Sequence, residues 1–274
     1  MTITGEDVRV MMDLREFSIP YPQMPPEARV AVIMAKYALF LAAPPAIIPS
    51  PTPDMPMIIE RIPSQSGTDL AYVEQLAESV GYVFYVEPTP VPMVNIAYWG
   101  PENRLSIPQS ALSINMGSDT NVDSLNFSYD ALGPTTVMGM MQEKRTGAML
   151  PVVTFMSLVP PLAPLPAILV QQPNVRSVLA HDSGNLDPVQ AYAHAQAVTD
   201  KSSDALTVEG ELDAMRYGSV LRARKLVGVR GAGFLADGLY YVKRVTHRIK
   251  KGEYKQSFSL AREGFGAISP VVIP

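Results

Sequence analysis

Hydrophobic and polar residues alternate most regularly near the C-terminal end of the chain. Two strand-forming runs, Leu239 to Ile249 and Glu253 to Ala261, flank Lys250-Lys251-Gly252. A glycine in so short a connection supplies the positive φ that tight hairpins need. Read by twos, Tyr241, Lys243, Val245, His247 and Ile249 share one face; Tyr240, Val242, Arg244, Thr246 and Arg248 share the other. In the second run Tyr254, Gln256, Phe258 and Leu260 lie opposite Lys255, Ser257 and Ser259. The pattern predicts a long hairpin with one buried face and one wet face. Tyr254, Phe258 and Leu260 are expected to point inward with Val245 and Ile249.

Upstream, Thr2, Thr4, Val8 and Val10 stand in strand-like context, and Ile19-Pro20-Tyr21-Pro22 closes that segment. Pro25-Pro26 can open a helix, with Val30, Ile33, Met34, Tyr37 and Leu41 at helical spacing. Leu39 and Phe40 widen its apolar stripe, which predicts cover on both sides. Pro44 to Pro56 reads as an extended connection, followed by a strand at Met57 to Ile62. A second helix buries Leu70, Val73, Leu76, Ala77 and Val80, with Ser66 as its cap, Asp69 as the capping-box acid and Gly81 as its terminator. The strand Tyr82 to Val86 then makes a βαβ-like unit. Short strands are predicted at Asn95–Trp99, Ala111–Asn115, Val122–Tyr129, Thr135–Met141 and Met149–Phe155. Beyond a second proline-rich connection, Pro160 to Pro173, Asp187-Pro188 starts an alanine-rich helix. Leu206–Leu212 and Ser219–Val229 read as strands.

Composition narrows the classes. The chain has 274 residues, room for two compact domains or one large one. It has no cysteine, which excludes a disulfide framework and sulfur-ligated metal and fits a reducing compartment. Net charge is −4, unevenly spread. From Thr207 onward there are 12 Lys+Arg against 6 Asp+Glu, so the last quarter is basic and the rest acidic. Such asymmetry fits nucleic acid, an anionic surface or an oppositely charged protein. No basic-then-apolar leader opens the sequence. The longest apolar run, Val152 to Val170, is broken by Pro160, Pro161, Pro164 and Pro166, so no membrane span is expected.

Candidate chemistry is sparse. His181, His194 and His247 form no helical metal pair; His194 is expected to be exposed and His247 structural. No Gly-x-Ser-x-Gly elbow occurs. His181-Asp182-Ser183 are adjacent, whereas triads assemble from separated positions. Glu209, Glu211 and Asp213 read as the wet side of a strand. Gly228 to Gly233 precedes no helix, so it is a strand connection and no phosphate loop. No catalytic, metal or cofactor site is predicted. The feature that stands out is a basic cluster that includes Arg222, Arg224, Lys225 and Arg230. Its candidate protein-docking stripe is Lys243, Arg244, His247, Arg248, Lys250, Lys251 and Lys255.

GLYYVKRVTHRI, then GEYKQSFSLAREG, then an apolar tail ending in proline, resemble the C-terminus of the phage late control gene D family. Three further stretches match in the family's order: ITGEDVRVMMDL at 3–14, RIPSQSGTDLAYVEQLAESVGYVFYVEP at 61–88 and GELDAMRYGSVLRARKLVGVRG at 210–231. The family comprises baseplate hubs of contractile tails and injection systems, similar to the hub half of VgrG. The resemblance implies a homotrimer of two-barrel subunits, a virion component adapting a trimeric spike protein to the hexameric tail tube protein. It also implies contacts with other baseplate proteins, no small-molecule substrate, no cofactor, and assembly in the bacterial cytoplasm.

With the residue pattern, this gives an α+β fold: small helix-plus-sheet domains with a C-terminal antiparallel β-barrel. The expected divisions are 1–19 as the end of a truncated N-terminal barrel, 20–159 as a central α+β domain, 160–204 as connection and helix, and 205–274 as the C-terminal barrel. In the family, the stretch like 3–14 closes a barrel that begins well upstream. Here that barrel is supplied by another chain, or the gene is split, or the sequence is incomplete. Two other readings stay open: a peptidoglycan-cleaving enzyme of the same particle, and a nucleic-acid-binding module on the basic C-terminal part.

Overall fold

A computed structural model describes residues 7–52, 62–143, 147–170, 176–179 and 187–267. Thr2, Thr4, residues 57–61 of the expected strand Met57 to Ile62, and His181-Asp182-Ser183 lie outside these residues, as do parts of both proline-rich connections. The fold is α+β. Its contacts divide into two units: Met1–Glu102, Met141–Leu150 and Asp182–Ala197 in the first; Asn103–Met140, Pro151–His181 and Val198–Pro274 in the second.

In the first unit the elements run Arg9–Asp13 (α1), Glu16–Pro20 (β1), Pro26–Lys36 (α2), Ala38–Leu41 (α3), Ala46–Ile47 (β2), Ser64–Thr68 (β3), Asp69–Ser79 (α4), Val83–Pro88 (β4) and Asn95–Gly100 (β5). Val8 and Val10 are thus not in a strand: Val8 is the N-cap of α1 and Val10 lies in its first turn. Pro26 sits at N1 of α2, where its missing N–H costs no hydrogen bond. The helix breaks at Tyr37, so the expected single helix is two, and Leu39 is 93% exposed where cover was expected. Val30, Ile33, Met34, Val73, Leu76 and Trp99 fill the core between α2, α4 and the three-stranded sheet β2-β5-β4.

The start of α4 also differs from expectation. β3 pairs antiparallel with β1, which takes Ser66 into a ladder. The cap is Thr68 instead, whose hydroxyl accepts from the Ala71 N–H at 3.2 Å. Asp69 turns inward and is fully buried. It accepts from Gln65 Nε2 (2.7 Å), the Tyr37 hydroxyl (2.8 Å) and Lys36 Nζ (3.1 Å). Burial, then the hydrogen bond to Asp69, pushes the Tyr37 phenol well up. β3 and β4 belong to different sheets; the first strand expected for the βαβ-like unit, Met57 to Ile62, lies outside the described residues except for Ile62.

The second unit holds Gln109–Ser113 (β6), Val122–Tyr129 (β7), Thr135–Gln142 (β8), Met149–Val153 (β9), Leu165–Pro166 (β10), Ala167–Val170 (α5) and Arg176–Leu179 (β11), some of which run past its borders. Pro188–Ser202 (α6), which belongs to the first unit up to Ala197, Leu206–Asp213 (β12), Ala214–Tyr217 (α7), Leu226–Arg230 (β13), Gly238–Lys250 (β14), Glu253–Arg262 (β15) and Gly264–Phe265 (β16) follow. Six strands form a curled half-barrel in the order β6-β13-β14-β15-β12-β7. Every pair is antiparallel except β6–β13, which is parallel. Asn121 laces the edge strands: its Oδ1 accepts from Ser113 N (2.8 Å) and its Nδ2 donates to Ala111 O (2.9 Å).

Two of the six strands therefore come from before the second proline-rich stretch. Val208, Leu212, Val227, Tyr240, Val242, Phe258 and Leu260 fill the concave side. On the convex side Leu162, Leu226 and Tyr241 make a smaller cluster under the proline-rich segment. The segment Ser219 to Lys225, expected as strand, is a loop with Leu221 buried.

Candidate docking hairpin

A β-bulge governs the hairpin. The register between β14 and β15 shifts between Val242 and Arg244, so Lys243 and Arg244 together oppose Ser259. An extra residue in one strand reverses the facing of everything beyond it. Val242 opposes Leu260 and Val245 opposes Phe258, so an even-numbered and an odd-numbered residue of β14 look into the same core. Unbroken alternation put Tyr240 and Val242 on the wet face with Arg244. The bulge places them inside, and turns Tyr241 to the convex cluster. Phe258 and Leu260 point inward as expected, and Tyr254 and Val245 are half-buried. Ile249 is a correction: it is 73% exposed, because the hairpin tip outruns the core.

Gln256 sits on the inner face and is fully buried. Its Oε1 accepts from Leu221 N (3.0 Å) and its Nε2 donates to Leu221 O (2.9 Å), as a neighbouring strand would. That pair clamps the 219–225 loop. Deeper in the barrel Arg262 is fully buried, its guanidinium 4.3 Å from the Tyr240 ring centroid. It donates to the carbonyls of Asp237, Gly266 and Leu235. Burial pushes the Tyr240 phenol up to about 12.

The stripe residues separate by face. Arg248, Lys250 and Lys255 lie on the convex side, where β15 and β12 present Ser257, Ser259, Glu209 and Glu211. Lys251 is in the turn, beside Gly252 with its φ of +80°. His247 lies on the other face with Gln256, its Nδ1 2.9 Å from the Tyr254 hydroxyl. It is exposed and bonded locally; His194, expected to be exposed, is half-buried.

Several of these cations already have carboxylates. Lys255 Nζ is 3.0 Å from Glu211 and 3.2 Å from Asp123. Those hydrogen bonds, to Glu211 first, hold its ammonium above the ordinary lysine value. Arg248 lies 3.6 Å from Glu253 and 3.7 Å from Glu211, and Lys250 4.0 Å from Glu253. Lys243 pairs with Asp204 at 2.8 Å. Among the described residues Arg244 and Lys251 make no ion pair.

Asp204 anchors a buried network at the root of the hairpin. Arg104 NH2 donates to both its oxygens (2.8 and 2.9 Å), and Arg104 NH1 reaches Glu263 at 3.3 Å. Glu263 in turn accepts from the backbone N–H groups of Leu162 and Ala163. Burial pushes the Asp204 carboxyl up, but the Arg104 and Lys243 charges outweigh it and hold it below the ordinary value. Sequence reading missed Arg104, Asp204 and Glu263, which stand up to 159 positions apart. Glu211 was visible as the wet side of its strand, though its partner was not. Among the described residues no group of His, Cys, Asp and Glu could hold a metal ion, and no helix is long and apolar enough to cross a membrane.

The sequence matches no protein-family model and no curated protein. The fold does have relatives among solved structures. A tail protein from Neisseria meningitidis MC58 is similar over 95% of this chain and 74% of its own, with a TM-score of 0.62 and 12% identity. The 43 kDa tail protein of prophage MuSo2 from Shewanella oneidensis matches 94% of this chain and 73% of its own, with a TM-score of 0.62 and 11% identity. A type VI secretion system component of Escherichia coli, itself similar to bacteriophage T4 tail proteins, matches 97% of this chain and 56% of its own, with a TM-score of 0.56 and 11% identity. The chain thus has a fold shared by phage tail proteins and a secretion-system component.

Proposed function

We propose that this protein is a structural component of a phage-like contractile tail or injection particle, and within it a baseplate hub. The observation that carries this reading is a fold likeness to tail proteins running through 94–95% of the chain. The hub would be a homotrimer, adapting a trimeric spike protein to the hexameric tail tube protein and touching other baseplate proteins. It would act by assembly without catalytic turnover. A trimer offering paired similar surfaces can present near-sixfold contacts to a hexamer. The convex hairpin stripe would meet the tube, with Arg244 and Lys251 as the cations available to a partner. The test is mass measurement on purified particles or the hub–spike subcomplex. The expected copy number is a multiple of three; any other number refutes the trimer. Incubation with peptidoglycan addresses turnover, and cleavage surviving repurification would overturn the non-enzymatic reading.

A further inference from the structure

The half-barrel leaves one strand edge open. β13 accompanies β14 only to Tyr241. One residue further, Val242 donates to Lys225 O (2.9 Å) and accepts from Arg224 N (2.7 Å). From Arg244 to Lys250, β14 has backbone partners on the β15 side alone among the described residues. Lys250 and Glu253 close the two-residue turn, so alternation aims the N–H and C=O groups of Thr246, Arg248 and Lys250 at β15. Those of Val245, His247 and Ile249 are aimed outward. An unpaired row of this kind is a template for another strand.

We propose that this edge receives an extended segment of another chain, one in which acidic and apolar side chains alternate. The nature of the occupant follows from the two faces of the edge. Arg244, without an ion pair among the described residues, flanks it on the convex side and Lys251 at the tip, with Arg248 and Lys250, which already lie near Glu253, between them. Val245, His247 and the exposed Ile249 flank it on the other. A strand added there by β-augmentation would set its acids against the cations and its apolar residues against Val245 and Ile249. Two copies of this chain pairing edge to edge would instead bring like charges together. Charged edges also protect a protein from unwanted pairing, so the test must separate recognition from protection. The inference rests on the reading of this hairpin as a docking element and specifies how docking occurs.

The test uses the full chain and a blocked peptide of alternating Glu and Val, followed by residue-resolved amide hydrogen exchange. The expected result is slowed exchange at Val245, His247 and Ile249 on adding peptide, weakened by salt. A Lys-Val peptide should give none. Ile249→Pro removes one outward N–H and spares the β15 ladder, and should weaken peptide binding by about tenfold or more. Three outcomes overturn the proposal: no added protection in the parent protein at millimolar peptide, equal protection by the Lys-Val peptide, or protection that rises with protein concentration alone, which would mean self-pairing. Copy number is measured separately on the same protein. A number not divisible by three sinks the trimeric hub while leaving the peptide result standing, and the reverse also holds.

Discussion

Gly210 and Phe258 stand opposite each other in the register of β12 and β15, and the Phe258 ring occupies the space a side chain at 210 would need. A Cβ at Gly210 would lie 2.6 Å from the ring tip and 2.5 Å from Ser124 O. Glycine inside a strand commonly marks such a close approach.

Gly210→Val should therefore destabilise the second unit by about 2–3 kcal/mol through overpacking. Urea denaturation would show this as a lower midpoint. Phe258→Leu should partly rescue it, because contacting residues couple non-additively. Additive effects in the double variant would show that the two side chains do not compete for space.

Gln256 substitutes for a strand partner at Leu221. Gln256→Leu preserves bulk but leaves the Leu221 N–H and C=O buried without that partner, at a cost of roughly 1–3 kcal/mol for each such group. Hydrogen exchange at Leu221 should accelerate more than at Val242, whose ladder is untouched. Unchanged protection at Leu221 would contradict the clamp.

The Asp204 network gives a pH dependence with a definite sign. Its folded carboxyl titrates below the ordinary value of 3.8. Its stabilisation is therefore fully present above that value and is lost as pH falls through the depressed one. Asp204→Asn should cost roughly 3 kcal/mol at neutral pH, since it leaves buried Arg104 with one carboxylate fewer. Below about pH 4 the stability of the parent should fall toward that of the variant. A constant gap through that range would remove Asp204 from the acid response.

Charge reversal should divide the stripe. Arg244→Glu with Lys251→Glu touches no observed ion pair, and should leave the thermal midpoint nearly unchanged while slowing tube docking. Lys255→Glu instead faces Glu211 and Asp123 and should lower the midpoint, more at low salt than at high salt. A double reversal that folds and nucleates tubes at the parental rate would remove the docking role from this stripe.

The hairpin, its turn at Gly252, the inward Phe258 and Leu260 and the wet carboxylates of β12 follow from local alternation, which needs only neighbours in sequence. The limits of β7 and the start of α6 at Pro188 were legible for the same reason. Tertiary structure decided the rest. The bulge at Lys243 and Arg244 reversed the facing of β14, and no local signal marks one extra residue in a strand whose flanks both alternate. Pairing of β3 with β1 moved the α4 cap from Ser66 to Thr68, because a ladder across 48 positions claimed Ser66 first. The stripe looked like a field of free cations because Asp123, Asp204 and Glu211 lie on other segments, and Glu253 comes beside Arg248 and Lys250 only once the hairpin closes. Charge along a chain sets what a surface can attract, but only the fold sets which of those charges are already matched.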